Sequence, residues 1–154
     1  MDIGKEAEAR IKTWLDRPEE GYCFDRIPDQ QTGFYGSKNI CDFTLFKAPN
    51  FYYLESKATY NDRFEFAMLT QYQYDGMCEK SLIEGVTCYV VVLFVTYKRA
   101  FLIDIRDIKY LRDNTKTRSL NIKKIAKWPC KYLEIKTILS RKQLLDYTHE
   151  DNVL

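Results

Sequence analysis

From Thr87 to Val95 the chain reads Thr-Cys-Tyr-Val-Val-Val-Leu-Phe-Val, with no charge and no polar alternation. A strand with one wet face alternates apolar with polar side chains. An unbroken apolar run belongs to a strand covered on both sides, so this stretch predicts the centre of a sheet. Even taken from Val86 to Val95 it is about half of what a membrane span requires. The N-terminal residues are charged and lack the apolar stretch of a signal peptide, which predicts a soluble, cytoplasmic protein. Ala100 to Ile105 is predicted to pair beside the central strand after Tyr97-Lys98-Arg99.

The remaining segments must supply the covering layers. Asp2 fits an N-cap for an amphipathic helix whose stripe is Ile3, Ala7, Ile11 and Leu15, ended ahead of Pro18. Glu8 borders that stripe, whereas Glu6 lies on the wet side with Arg10, Thr13 and Arg17. Tyr22 to Phe24 predicts a short strand and residues 32–39 a loop. Cys41 to Phe46 and Phe51 to Lys57 are β-rich runs separated by Lys47-Ala48-Pro49-Asn50, a hairpin pattern. Residues 66–82 carry Phe66, Leu69, Tyr72 and Met77 at helical spacing, weakened by Gly76. A short helix is predicted over 106–112, then a charged loop and a mixed stretch. Ser140 with Gln143 suggests a capping box for a last helix. This order predicts an α/β fold on a mixed sheet, in one domain spanning residues 1–154.

With 154 residues, 45% of them hydrophobic, the chain can bury about two-thirds of its unfolded surface, which excludes bulk disorder. Its five cysteines (Cys23, Cys41, Cys78, Cys88, Cys130) form no CxxC pair. That argues against a disulfide framework or thiolate zinc site and predicts small buried hydrophobes in a reducing compartment. The single histidine, His149, reads as a solvated tail residue, so Ser-His or Cys-His catalysis has no support. The chain has no Walker-type loop and no GxGxxG. Charge is unevenly placed: residues 106–142 hold 12 basic against 3 acidic side chains. Such a block is the footprint of a polyanion binder, with Lys116, Arg118, Lys123, Lys124 and Lys127 as candidate phosphate contacts. The alternative is a solvated lysine-rich surface.

The hairpin carries the candidate chemistry. If Phe46 faces Phe51, antiparallel partners sum to 97 and Asp42 falls opposite Glu55. Like charges across a strand pair destabilise a sheet, so something positive is needed there. Lys57 points to the same face as Glu55, two residues on. Two carboxylates and a nearby carbonyl suit a hard cation such as Mg²⁺, which can lower the pKa of a bound water and offset charge on a phosphoryl group. Lys57 could orient that water or neutralise the phosphorane; it could equally form a plain ion pair with Glu55. Gln73 shares a helix face with Phe66, Leu69 and Met77 and must find a partner, at such a site or on the backbone. Asp29, after Pro28, is a further acidic candidate, but it has no register with Glu55, and Asp42 is preferred. Asp25-Arg26 fits an ion pair or a DNA-facing arginine. Tyr52, Tyr53, Tyr60, Tyr72 and Tyr74 fit core or dimer contacts, with stacking on an unpaired base as a second use.

Asp42, Glu55-Ser56-Lys57 at a strand end, and Gln73 on the next helix resemble the PD-(D/E)xK nuclease superfamily, most of all the RecU type of Holliday-junction resolvase. The resemblance covers most of residues 4–105, in the blocks Gly4-Lys5-Glu6-Ala7-Glu8, Cys41-Asp42-Phe43, Leu54 to Thr59 and Phe64 to Met77. It extends more weakly to Ser119-Leu120-Asn121-Ile122-Lys123-Lys124. It implies a restriction-endonuclease-like core and an endonuclease, commonly a homodimer, that cuts branched DNA with Mg²⁺, for which Mn²⁺ can substitute. Asp42 and Glu55 would be metal ligands, Lys57 the catalytic lysine, Gln73 the active-site glutamine and Glu8 a helix-borne acid near the metal. Cys41 stands where the superfamily has proline. The segment between the first helix and Asp42 is too short for the long stalk of RecU proteins, which bears on junction engagement and leaves the hydrolytic site untouched. Two readings compete with a resolvase: a nuclease of the same kind acting on duplex or single-stranded DNA in restriction or repair, and a non-catalytic DNA-binding or inhibitor protein on the same fold.

Overall fold

The computed structural model describes residues 2–28, 38–135 and 154. Six strands form one sheet in the order β1-β2-β3-β5-β6-β8, and β4 pairs with β7 in a separate ribbon. The strands are β1 (Tyr22–Arg26), β2 (Phe43–Lys47), β3 (Asn50–Thr59), β4 (Arg63–Glu65), β5 (Val86–Phe94), β6 (Arg99–Asp104), β7 (Ser119–Asn121) and β8 (Leu133–Ile135). The helices are α1 (Ile3–Leu15), α2 (Gln71–Lys80) and α3 (Ile105–Asn114). Within the large sheet only β3 and β5 run parallel, because the α2 crossover returns the chain in the same direction.

The apolar run is the centre of this sheet. Val90, Val92 and Phe94 pack on one side with Met77, Ile108 and Leu111, while Val91 and Leu93 pack on the other with Ala7, Ile11, Trp14 and Leu15. With both faces covered, neither set of alternating positions tolerates a polar side chain. α1 starts where the sequence predicts: the Asp2 side chain accepts a hydrogen bond from the Gly4 amide, satisfying a donor that no helical carbonyl can reach. Leu154 joins the α1 layer, and its backbone oxygen accepts from Arg17 Nη2 at 2.7 Å and Lys47 Nζ at 2.8 Å.

Several expectations change. Residues 66–82 are not one helix: a 3-10 turn (Phe66–Met68) is followed by extended Leu69 and Thr70, and only then by α2. A Thr70–Gln73 capping box starts α2 afresh, and its reciprocal hydrogen bonds outweigh the apolar spacing that runs across the break. Cys23 is exposed, since alternation along edge strand β1 turns it away from α1, whereas Cys41 and Cys88 are buried. The hairpin link is shorter than its four-residue reading, with β2 and β3 continuing through Lys47 and Asn50. The register is unaffected: Phe46 faces Phe51. The charged stretch after α3 is folded down rather than loose, because β7 pairs with β4 and Phe66 N–H donates to Arg118 O. Asp29, most of the predicted 32–39 loop, the Ser140/Gln143 box and His149 lie outside the described residues.

Gly76 is required by packing. A Cβ there would stand 2.4 Å from Ile40 Cγ2, far inside van der Waals contact. Alanine gains about 1 kcal/mol of helix propensity over glycine, and overpacking costs about 1–3 kcal/mol. Gly76→Ala is therefore expected to be net destabilising in urea denaturation, and Ile40→Ala in the same chain is expected to reverse the sign. A stabilised single variant would show that Ile40 yields freely.

Candidate active site

The β1–β2–β3 corner builds the site. The β2–β3 ladder ends at the Phe43–Leu54 pair, and Asp42 sits one residue ahead of it. Its N–H donates to Leu54 O at 3.1 Å and its carbonyl accepts from Ile27 N–H at 2.7 Å. Asp42 therefore departs from the regular cross-strand position that the register predicts. Its carboxylate takes over a ladder function instead: Oδ2 accepts from the Ser56 amide at 2.8 Å, a β3 donor that lies beyond the end of β2 and would otherwise go unpaired.

Glu55 and Lys57 lie on the α2 side of β3, on the same alternation as Tyr53. Glu55 is 2% exposed. Its Oε1 meets Lys57 Nζ at 2.9 Å and accepts from Gln73 Nε2 at 2.8 Å. Its Oε2 is buried with no hydrogen-bond partner. Burial, and then the negative charge of Asp42, push the Glu55 carboxyl up to about 7; Lys57 opposes them through its charge and its hydrogen bond. A buried, unpaired carboxylate oxygen beside a second carboxylate is a costly arrangement for a structural site, and it fits a cation ligand. Among the described residues no three His, Cys, Asp or Glu side chains cluster to hold a metal. Two carboxylates suit a hard ion such as Mg²⁺, which keeps several of its waters.

The neighbours refine this picture. Gln73 is brought onto the pair by α2, bonding Glu55 and, through Oε1, Lys57 Nζ at 3.2 Å. Glu8 stands near enough for its charge to act on Glu55. It sits on α1, forms an ion pair with Arg26, and its charge is the smallest of the influences named for Glu55. Arg26 also lies over the Phe43 ring, and the ion pair it forms is with Glu8 on α1, not with the adjacent Asp25. Cys41, in the proline position, is buried and donates to Phe43 O at 3.3 Å. Burial, with Glu55 and Asp42 nearby, pushes its thiol up to about 12, so it stays protonated beside the carboxylates.

The tyrosines divide. Tyr74 is buried under the Arg112 guanidinium, and Tyr52 stacks on Tyr89. Tyr53 packs edge-on against Phe51. Tyr60 and Tyr72 remain exposed, Tyr72 next in sequence to Gln73. The basic candidates Lys116, Arg118, Lys123, Lys124 and Lys127 are all exposed. Lys123 reaches Asp62 at 3.6 Å, and Arg118 Nη1 donates to the carbonyls of Thr115 and Thr117. Lys124 and Lys127 line a groove with Trp128 and Arg63. Arg63 was invisible to the charge count because it lies outside the basic block; it arrives by its pairing with Asn121. Thr70 was also missed, although Thr-x-x-Gln is a capping-box signature.

Comparison with known proteins places this geometry in a family. A search of curated proteins returned no match. Among solved structures, the fold is similar to that of Archaeoglobus fulgidus Hjc, described as a Holliday junction resolvase from an archaeal hyperthermophile. The TM-score is 0.52 at 13% identity, covering 88% of this chain and 97% of that one. At that identity the likeness establishes a shared restriction-endonuclease-like fold. The family model for recombination protein U matches residues 25–149, which run from the end of β1 and include the Asp42, Glu55, Lys57 and Gln73 positions. The chain belongs to the RecU family.

Proposed function

We propose that this chain is a Holliday-junction resolvase that hydrolyses DNA phosphodiester bonds with a divalent cation, with Asp42 and Glu55 as the metal ligands and Lys57 as the catalytic lysine. One observation carries the reading: Glu55 has one oxygen saturated by Lys57 and Gln73 and the other buried without a partner, next to Asp42. Mg²⁺ fits best, with Mn²⁺ as a substitute, because two carboxylates and retained waters are its usual protein complement. Bound there, such an ion supplies a Lewis acid that lowers the pKa of water and offsets charge on the phosphoryl group.

The protein groups do the rest. Lys57 spends two of its N–H donors on Glu55 and Gln73, leaving the third for a water or a phosphate oxygen. Its charge also opposes protonation of Glu55, keeping the carboxylate ready as a ligand near neutral pH. Gln73 holds both side chains in place. Glu8, held by Arg26, adds negative charge near the metal ligands. The groove of Arg63, Lys124 and Lys127 grips phosphates beyond the cut. Membership of the RecU family supports the branched substrate, and two copies acting together suit paired cuts on two strands.

Cleavage of a four-way junction, a flap, a single strand and a linear duplex in Mg²⁺ tests this reading. The junction is expected to be cut first. Equal cutting of linear duplex and junction would favour the restriction or repair alternative, and no cutting of any substrate would favour a non-catalytic binder. Charge removal gives an independent check. Replacing Arg63, Lys124 and Lys127 together with alanine is expected to flatten log K against log[salt] by about 3, since each phosphate contact contributes about 0.9. An unchanged slope would remove the groove from the DNA contact.

A further inference from the structure

Four hydrogen bonds around Gln73 have a consequence for the metal ligand. Its Oε1 accepts from the Thr70 backbone N–H at 3.1 Å and from Lys57 Nζ at 3.2 Å, while Nε2 donates to Glu55 Oε1 at 2.8 Å. Thr70 Oγ1 accepts from the Gln73 backbone N–H at 3.2 Å. An amide N–H and an ammonium can only donate, so the Gln73 carbonyl must face them and its NH₂ must face Glu55. The amide therefore has one orientation that satisfies every neighbour.

That orientation decides which oxygen of Glu55 is open. The two oxygens of a free carboxylate are equivalent, and only the placement of donors separates them. Here Oε1 has the Lys57 and Gln73 donors, and Oε2 has none and is buried. The start of α2 and the metal-facing atom of β3 are thus joined through one side chain.

We propose that Thr70 is a positioning residue: by capping α2 it fixes the Gln73 amide, so that Glu55 presents Oε2, and not Oε1, to the cation. The proposal rests on the metal reading given above and adds to it a residue that acts only through Gln73. Thr70 is exposed, so its replacement leaves the core intact and the variant is expected to fold.

The test is Mn²⁺ affinity of the full chain, read by electron paramagnetic resonance without DNA. Thr70→Ala is expected to weaken Mn²⁺ binding by about tenfold, the scale of lost second-layer partners at metal sites. Thr70→Ser, which keeps the hydroxyl, is expected to bind as the wild type does. Glu79→Gly, at an exposed position late in α2, lowers helix stability without touching the capping box and is expected to keep full affinity. Unchanged affinity in Thr70→Ala overturns the proposal while leaving the metal reading standing. So does equal weakening in Glu79→Gly, which would mean that affinity simply follows helix stability. If the wild type binds no Mn²⁺, the metal reading fails and this inference fails with it.

Discussion

Lys57→Ala is expected to reduce DNA cleavage by about 10³-fold, the upper scale for removing one preorganised electrostatic donor, while DNA affinity changes little. Two losses combine in that number. The substitution removes the ammonium that would reach water or phosphate, and it removes the 2.9 Å partner of Glu55 Oε1. Lys57 is the only positive charge among the named influences on Glu55, and it lowers a carboxyl that burial and Asp42 raise. Without it Glu55 should hold its proton to higher pH, and a protonated carboxyl is a poor metal ligand. The residual activity of Lys57→Ala should therefore rise with pH over a range in which the wild type has levelled off. Single-turnover cleavage from pH 6 to pH 9 measures both effects. Affinity should be spared because the basic groove is built on β4, β7 and the turn after it, not on β3. A variant that cuts as fast as the wild type would remove Lys57 from the chemistry; one that cuts slowly with an unshifted pH profile would leave only its direct role.

How far such a site could be read from sequence depends on the range of the interaction that builds each part. The hairpin register was legible because two β-rich runs with a short link leave few ways to pair, and Phe46 does face Phe51. The same alternation that separates Val90 from Val91 across β5 puts Glu55 and Lys57 on one face. Asp42 stepped out of the ladder because β2 begins one residue after it, and strand ends are set by where hydrogen bonds can still be made. The break between Leu69 and α2 had a local signal in Thr70 and Gln73, but apolar spacing across it gave a competing signal that the capping box overrode. The Glu8–Arg26 pair joins a helix to an edge strand, and no periodicity relates those positions. The β4–β7 ribbon is three residues long on each side, too short for alternation to announce it. It is held by buried Phe64 and Leu120 rather than by strand propensity. The state of Glu55 Oε2 was the least legible of all, because it depends on two donors converging from α2 and β3 on the neighbouring oxygen.

Glu55→Gln is expected to abolish cleavage and at the same time stabilise the metal-free protein at pH 8. The Glu55 carboxyl is raised from 4.5 to about 7 in the folded chain. Between those two values the folded state holds a proton that the unfolded state has lost. Stability contributed by this group is thus full below about pH 4.5 and falls as pH rises towards 7, by on the order of 3 kcal/mol in total. Glutamine cannot ionise, so the variant should lack that decline. Part of the gain is offset, because the amide gives up the charge attraction to Lys57, and a net of about 1–2 kcal/mol at pH 8 is expected with little difference at pH 5. Urea denaturation at both pH values without added metal measures this. Adding Mg²⁺ should then reverse the order. An ion that binds only the folded state at a hundred times its Kd stabilises by about 2.7 kcal/mol, and only the wild type has the carboxylate to hold it. The same side chain then lowers stability when the metal is absent and raises it when the metal is bound, as expected of a group selected for chemistry rather than for the fold. Equal Mg²⁺ stabilisation of both proteins would place the ion elsewhere, and a wild type that grows more stable from pH 5 to pH 8 relative to Glu55→Gln would show that Glu55 is not the strained carboxyl.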